Sequence, residues 1–173
     1  DRKIGEQDMK IIRHIKEERK GLIICWNKWD VVEKDHKTFD NIVKESREEY
    51  RELIHIPMLS ISALTGKRVH DVLKLAFKVK EDCQRKIPKS ELEENFFSWV
   101  KRFPHPYVPN ETVRFLGIKQ QKGDYPSFVI FCTHKHSLEE SYIRFLQNKM
   151  YDTYGFIGSF LVLQFKGGGR SKA

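Results

Sequence analysis

The segment that decides the fold reads Leu22-Ile23-Ile24-Cys25-Trp26, and it is followed directly by Asn27-Lys28-Trp29-Asp30. The first five residues form a short apolar run, which is typical of a buried strand. The polar tetrad therefore stands at the C-terminal tip of that strand. Because open α/β sheets bind their ligands outside the carboxyl ends of their strands, the segment predicts a ligand site at residues 27 to 30.

The tetrad has the pattern Asn-Lys-x-Asp, whose side chains suit recognition of guanine. A carboxylate at Asp30 only accepts hydrogen bonds, and it can take both donors on the N1/N2 edge of guanine, which adenine lacks. Such a site discriminates strongly, since the wrong base leaves buried polar atoms unpaired. Lys28 can lay its aliphatic stem along the base, and Asn27 can tie the loop to the rest of the pocket.

A second polar loop, Ser62-Ala63-Leu64, follows a second short apolar run at residues 56–61. One predicted helix separates it from the first loop, so both loops are expected at the same edge of a sheet. A small residue such as Ala63 lets a backbone N–H approach the O6 atom of guanine. Ser62 can brace the loop through its hydroxyl. Together the two loops predict a guanine pocket.

The first 85 residues alternate helices and strands, which is typical of an α/β doubly wound parallel sheet. Only two strands are apparent, so about half of such a domain is expected. On the third helix we expect the apolar residues Val72, Leu73, Ala76 and Phe77 at helical spacing. The predicted helices span residues 6–18, 37–53 and 69–85, and the predicted strands span residues 22–26 and 56–61.

The remaining residues predict a small α+β domain with the order α-β-β-α-β. Ser90 with Glu93 and Ser137 with Glu140 have the capping-box pattern that opens a helix. Strands are predicted at residues 112–120, 127–133 and 159–166. The Gly155-Phe156-Ile157-Gly158 sequence stands between a helix and a strand, so we interpret it as a turn. The last residues, 167–173, are expected to be a flexible basic tail.

The two loop motifs, with Glu6-Gln7-Asp8, Thr65-Gly66 and Tyr154-Gly155-Phe156-Ile157-Gly158, resemble the C-terminal part of the EngA/Der family of tandem-domain ribosome-assembly GTPases. The resemblance implies a partial P-loop GTPase domain at residues 1–85 (the C-terminal half of the second such domain), a linker at 86–90 and a KH-like domain at 90–166. It implies a GTP- or GDP-binding site formed by Asn27, Lys28, Asp30, Ser62, Ala63 and Leu64.

The same resemblance implies a cytoplasmic protein that acts in assembly of the large (50S) ribosomal subunit. Its partners would be that subunit with its rRNA, and the N-terminal GTPase domains of the intact protein. No glycine-rich loop ending in Lys-Ser/Thr occurs, and neither a switch threonine nor a metal motif stands upstream of Asn27. These elements hold the phosphates and Mg²⁺ in such enzymes. We therefore expect the chain to be a fragment without Mg²⁺ ligands that alone neither hydrolyses GTP nor binds it tightly.

The net charge of +8 is divided evenly between the two halves of the chain, which supports contact with RNA only weakly. Candidate RNA contacts are Lys119, Lys122, Arg144, Lys149, Arg170 and Lys172. No apolar run has the ~20 residues of a membrane span. The three cysteines lack metal-ligand spacing and are expected to be core residues in a reducing compartment. His134 and His136 are interpreted as a polar loop.

Two alternatives stay open from the sequence. The chain could be a stand-alone RNA- or protein-binding KH-like module without a nucleotide function. It could also belong to the related Era-like GTPases with a single GTPase domain, although the position of the Gly-x-x-Gly sequence argues against this.

Overall fold

The structure, a computed structural model, describes residues 3–32, 38–109 and 111–167. These residues form two units. The first comprises the described residues of Asp1–Cys83 together with Phe156–Phe160, and the second comprises those of Gln84–Gly155 together with Leu161–Ala173. The domain limits expected from the sequence stay predictions.

The first unit is an α/β arrangement around a two-stranded parallel sheet, as predicted. Its two strands run side by side in register, with Ile24 opposite Met58 and Trp26 opposite Ser60. The sequence accounts for the start of the second strand, because Pro57 has no N–H to donate and stands just before it. The elements are α1 (Glu6–Glu17), β1 (Ile24–Trp26), α2 (Thr38–Glu49), β2 (Met58–Ser60) and α3 (Val69–Gln84), with a 3₁₀ turn at Arg51–Leu53.

The segment 156–160 is part of the first unit and lies at the N-terminal side of both strands. The carbonyl of Gly158 accepts a hydrogen bond from the Leu22 N–H at 2.7 Å, and its own N–H donates to the His55 carbonyl at 2.9 Å. Gly158 adopts a positive φ of 76°, which favours glycine. Gly158, although distant in sequence, thus forms backbone hydrogen bonds with the segments that lead into both strands.

The apolar residues Val72, Leu73, Ala76 and Phe77 lie on α3 as predicted, but they do not form its buried face. Leu73 and Phe77 are 57% and 73% exposed, whereas Val79, Asp82 and Cys83 are buried. The reason lies in the neighbouring backbone: Val79 lies against Gly21 and Gly158, and Cys83 lies against Gly21. The helix therefore packs through its C-terminal half, where glycines allow the backbone to approach closely.

The second unit is α+β, with a three-stranded sheet in the order β3-β4-β5. Strand β4 pairs antiparallel with β3 and parallel with β5. The rings of Phe96 and Tyr142, from the two helices, both lie against Phe115 on β3, which identifies the helix side of the sheet. The predicted order is confirmed, with α4 (Lys89–Arg102), β3 (Phe115–Gln120), β4 (Ser127–Cys132), α5 (Glu140–Tyr154) and β5 (Val162–Gly167).

Both predicted capping boxes are wrong. Helix α4 begins after Pro88, and α5 begins after Glu139, with no side-chain cap in either case. The Glu139 N–H instead donates to the imidazole Nε2 of His105 at 3.1 Å. A long-range acceptor thus satisfies a backbone donor at the start of α5, where local serine capping was expected.

The Gly155–Gly158 sequence lies between α5 and β5, since α5 ends at Tyr154 and β5 begins at Val162. It is therefore a helix-to-strand connection, as interpreted from the sequence. Arg170, Lys172 and the rest of the expected tail after Gly167 lie outside the described residues. Within the described ranges, no helix is long and apolar enough to cross a membrane.

Candidate functional site

The loops that follow β1 and β2 meet at the C-terminal edge of the parallel sheet. The Ile61 N–H donates to the Trp26 carbonyl at 2.8 Å, and the Trp29 N–H donates to the Ile61 carbonyl at 3.0 Å. These bonds continue the pairing of the two strands beyond their ends. The two predicted motifs are consequently neighbours in space, as parallel pairing requires.

Asn27 joins the two loops through its side chain. Its Oδ1 accepts from the Lys28 N–H at 2.7 Å and from the Ala63 N–H at 3.0 Å. Lys28 has a positive φ of 59°, which turns the chain sharply after the strand. A single side-chain oxygen therefore holds one loop in a turn and ties it to the other.

Ser62 braces the second loop from the inside. It is completely buried, and its Oγ accepts from the Thr65 N–H at 3.2 Å. Its backbone N–H donates to the Lys67 carbonyl at 3.1 Å. The loop returns on itself at Gly66, whose φ is 73°. These bonds fix the shape of the loop that carries Ala63.

Trp29 packs beneath the first loop. It is 8% exposed, and its ring meets that of Phe39 edge to face at a centroid distance of 5.4 Å. Phe39 also meets Trp26, at 6.1 Å. An edge-to-face pair of this kind adds about 0.5–1.5 kcal/mol beyond area burial. Trp29 therefore supports the loop from within and does not cover its rim.

The side chains expected to contact the ligand face solvent at this edge. Asn27, Lys28, Asp30 and Ala63 are exposed, and Leu64 is 88% exposed. All the nucleotide-site residues predicted from the sequence thus stand on two adjacent loops. Their contacts with a base stay predictions, and the Ala63 N–H already has an acceptor in Asn27.

Arg68 was not among the site residues predicted from the sequence. Its guanidinium donates to the hydroxyl of Ser60, the last residue of β2, which is 1% exposed. Arg68 also has a positive φ of 62°. It therefore anchors the far end of the second loop to the strand. The only signal in the sequence is its place just after Gly66-Lys67, which carries no specific chemistry.

The candidate RNA contacts in the second unit do not share one environment. Lys119 and Lys122 are exposed on β3 and in the turn after it. Arg144 pairs with Glu140 at 3.2 Å on the surface of α5. The ammonium group of Lys149 lies 6.0 Å from the ring centroids of both Phe103 and Phe145. Lys119 and Lys122 are therefore the pair without a described protein partner.

Metal binding and thiol chemistry find little support in the described residues. Across residues 3–32, 38–109 and 111–167, no group of three or more His, Cys, Asp or Glu side chains could hold a metal ion. Burial raises the pKa of the Cys25, Cys83 and Cys132 thiols. A raised pKa keeps a thiol protonated and unreactive. Cys83 and Cys132 are buried core residues, whereas Cys25 is half-buried on β1.

Comparison with protein families matches residues 86–166 to the KH-domain-like family of EngA bacterial GTPase enzymes, C-terminal. Among curated proteins, the chain is 34% identical over 163 residues to GTPase Der of Chloroherpeton thalassium, covering 94% of this chain and 38% of that protein. It is 36% identical over 161 residues to GTPase Der of Caldanaerobacter subterraneus subsp. tengcongensis, covering 93% and 37%. The chain therefore spans less than two fifths of the length of these relatives.

Among solved structures, the chain is similar to Era in complex with MgGDPNP and nucleotides 1506–1542 of 16S ribosomal RNA. The sequence identity is 18% and the TM-score is 0.38, with 96% of this chain and 62% of that chain covered.

Proposed function

The chain is a homologue of GTPase Der that carries the KH-like C-terminal domain of EngA enzymes, and from this premise we propose that its first unit is the base-recognition half of a guanine-nucleotide site. In this proposal Asp30 accepts hydrogen bonds from the N1 and N2 donors of guanine. Lys28 packs its stem along the base, and the Ala63 N–H donates to O6. GTP and GDP are the nucleotides concerned.

One observation carries the proposal: Asn27 Oδ1 accepts from the Ala63 N–H at 3.0 Å. This bond holds an exposed carboxylate on one loop and an exposed backbone donor on the other at the same sheet edge. Guanine presents two donors and one acceptor along a single edge, so it needs an acceptor and a donor fixed at a set separation. A site built in this way rejects adenine, whose edge has the opposite pattern.

The Ala63 N–H must share its hydrogen between Asn27 and the base when the ligand binds. Three-centre hydrogen bonds, in which one backbone N–H is shared between two acceptors, are a regular feature of proteins, as at helix termini. The proposal therefore predicts that the Ala63 amide responds more strongly to a guanine ligand than its neighbours do. The phosphate contacts and the Mg²⁺ are assigned to a part of the longer protein outside this sequence.

The test is an NMR titration of the chain with guanosine monophosphate and adenosine monophosphate at millimolar concentrations. The two monophosphates differ only in their base. A difference between their effects therefore reports base recognition and does not depend on a phosphate loop. We expect guanosine monophosphate to shift the amide signals of Ala63, Leu64 and Lys28, and adenosine monophosphate to leave them in place. Equal shifts with both nucleotides would contradict base recognition.

Asp30→Ala should remove the shifts caused by guanosine monophosphate. The matched control is Asp71→Ala, which removes an exposed carboxylate from the first turn of α3 in the same unit. We expect the control to keep the response of the unsubstituted chain. A response that survives Asp30→Ala would assign the base to other groups.

We further propose that the longer protein acts in the cytoplasm in assembly of the large (50S) ribosomal subunit, and that the second unit contacts rRNA. The support is the similarity to GTPase Der and the exposure of Lys119 and Lys122 in the second unit. Each lysine that neutralises a phosphate makes binding more sensitive to salt. Lys119→Ala with Lys122→Ala should therefore weaken binding to an rRNA fragment and reduce its salt dependence.

Arg144→Ala with Lys149→Ala is the comparison, because these two side chains already interact with Glu140 and with two rings. We expect a smaller loss of RNA affinity from this pair, measured by filter binding at several salt concentrations. An equal loss of RNA affinity from both pairs would indicate that the RNA contacts are spread over the surface of the second unit. No loss from either would contradict the rRNA role of these side chains.

A further inference from the structure

One face of the β3-β4-β5 sheet carries an aromatic ring near two basic side chains. Along β4, Phe128, Ile130 and Cys132 are 0–1% exposed and point to the helices, as the pairing of Cys132 with Phe115 shows. Side chains alternate between the faces of a strand. Phe131 therefore points to the other face, where it is 37% exposed.

The neighbours of Phe131 on that face are fixed by the register. Gly117 of β3 lies opposite it on one side, and Lys166 of β5 lies opposite it on the other. Lys119 lies on the same face, two residues beyond Gly117, and is exposed. The ring thus has a glycine on one flank and a lysine on the other.

Gly117 leaves open space beside the ring. A Cβ atom placed on Gly117 would meet no atom within 4 Å, and its backbone does not need a positive φ. The fold therefore does not require glycine at this position. A cavity of about 510 Å³ lies at the edge strand β3. Gly117, Lys119 and Phe131 line it on this face, and it extends round the strand edge to Lys89, Leu92 and Glu93 of α4, which packs on the opposite face. That volume lies within the range of ~300–1,000 Å³ for ligand pockets.

The charge at this end of the sheet favours a polyanion. Glu93 lies 3.7 Å from the Lys89 ammonium, so that carboxylate is already balanced. Lys119 and Lys166 have no carboxylate partner among the described residues. Single-stranded nucleic acid combines a flat base, which stacks on aromatic rings, with phosphates that need cations. An apolar peptide would use the ring but leave both lysines without a function.

We propose that this end of the sheet binds single-stranded RNA, with a base stacked on Phe131 in the space left by Gly117 and phosphates held by Lys119 and Lys166. This inference deepens the proposed rRNA contact and rests on it. We call the surface formed by Gly117, Lys119, Phe131 and Lys166 the platform. The Ser127 and Val129 end of the same face is buried, so the platform has room for one or two nucleotides. Stacking on one ring selects unpaired bases, because the bases of a duplex are already stacked.

The experiment measures fluorescence anisotropy of a labelled ten-nucleotide oligo(A) RNA with the full chain, at several salt concentrations. Phe131→Leu should weaken binding about ten-fold, and Phe131→Tyr should preserve it. Gly117→Val should cause a similar loss by filling the space beside the ring, although valine is favourable in a strand. Lys119→Ala and Lys166→Ala should each lower the salt slope by about 0.7.

The matched control is Phe97→Leu, which removes a ring that is 41% exposed on α4 in the same unit. It should leave binding unchanged. If the RNA binds but Phe131→Leu and Gly117→Val have no effect, the platform is wrong while the broader rRNA contact stands. If the unsubstituted chain binds an rRNA fragment but not the oligo(A) RNA, the platform is wrong. If it binds neither, both proposals fail. If Phe131→Leu instead dissociates a dimer in sedimentation, the face is a protein interface and the RNA platform is wrong.

Discussion

Asn27 Oδ1 lies 3.0 Å from the Ala63 backbone nitrogen, although 36 positions separate the two residues along the chain. The same oxygen lies 2.7 Å from the Lys28 nitrogen. This relationship makes Asn27 a structural link as well as part of a recognition motif. The link can be tested without a ligand, because it holds the two loops together in the free protein.

Asn27→Ala should destabilise the first unit by about 1–2 kcal/mol, since it leaves two backbone donors without their acceptor. Asn27→Asp keeps an oxygen acceptor for both donors and should cost less. The measurement is urea unfolding followed by tryptophan fluorescence in a Trp99→Phe background, where the remaining Trp26 and Trp29 both lie in the first unit. Equal losses from the two variants would contradict the linking role.

Gly158→Ala should destabilise the first unit by about 2–4 kcal/mol. The added Cβ would lie 2.6 Å from Val79 Cγ2 and 2.9 Å from the Leu22 carbonyl oxygen, and the residue has a positive φ. The Leu22 carbonyl oxygen belongs to the backbone just before β1, so it cannot move away without displacing the start of that strand. The same fluorescence measurement in the Trp99→Phe background reports the change.

Gly66→Ala is the control for this prediction, because Gly66 has a φ of 73° but no atom within 4 Å of an added Cβ. It should lower the stability of the first unit only by the cost of a positive φ at a non-glycine residue, about 1 kcal/mol. If both alanine variants cost the same, the close contacts of Gly158 contribute nothing and the account of this segment is wrong.

Tyr142 should make the second unit sensitive to alkaline pH. Burial raises its pKa to about 12, and its hydroxyl donates to the Phe103 carbonyl at 2.7 Å. An unfolded tyrosine ionises near pH 10, so between about pH 10 and 12 the unfolded state loses a proton that the folded state keeps. Tyr142 therefore leaves stability unchanged below pH 10 and lowers it by up to about 1.4 kcal/mol per pH unit between pH 10 and 12.

Tyr142→Phe should remove this contribution, while the alkaline losses from Cys132 and Tyr154, whose pKa values burial also raises, should remain. The variant should cost some stability at neutral pH, because the Phe103 carbonyl loses its donor. Urea unfolding between pH 8 and pH 11, followed by the side-chain methyl NMR signals of the buried residues Ile118 and Ile130, compares the two proteins. Parallel pH profiles would show that another group causes any alkaline loss.

The sequence predicts well where local patterns decide the structure. The run Leu22–Trp26 with its polar tetrad identifies both a strand and the edge where its loop lies. The second apolar run places Ser62 and Ala63 beside that loop, because parallel strands share one carboxyl edge. The α-β-β-α-β order of the second unit also follows from local periodicity and turn residues.

The sequence fails where distant residues decide. Leu73 and Phe77 have helical spacing, but spacing cannot show that α3 packs through Val79 and Cys83 against two glycines. Ser137 has a good capping pattern, yet the Glu139 N–H bonds to His105, a residue from another part of the chain. Long-range contacts of this kind outweigh local preferences worth about 1 kcal/mol.

Recognition of guanine by Asp30 is tested most sharply by comparing the unsubstituted chain with Asp30→Asn in the binding of guanosine and xanthosine monophosphates, measured by NMR titration. Asparagine replaces one acceptor oxygen by a donor, which matches the O2 atom of xanthine in place of the amino group of guanine. We expect the original chain to prefer guanine and Asp30→Asn to shift the preference towards xanthine by about ten-fold or more. An unchanged ratio of the two affinities would contradict the assignment of Asp30 to the base.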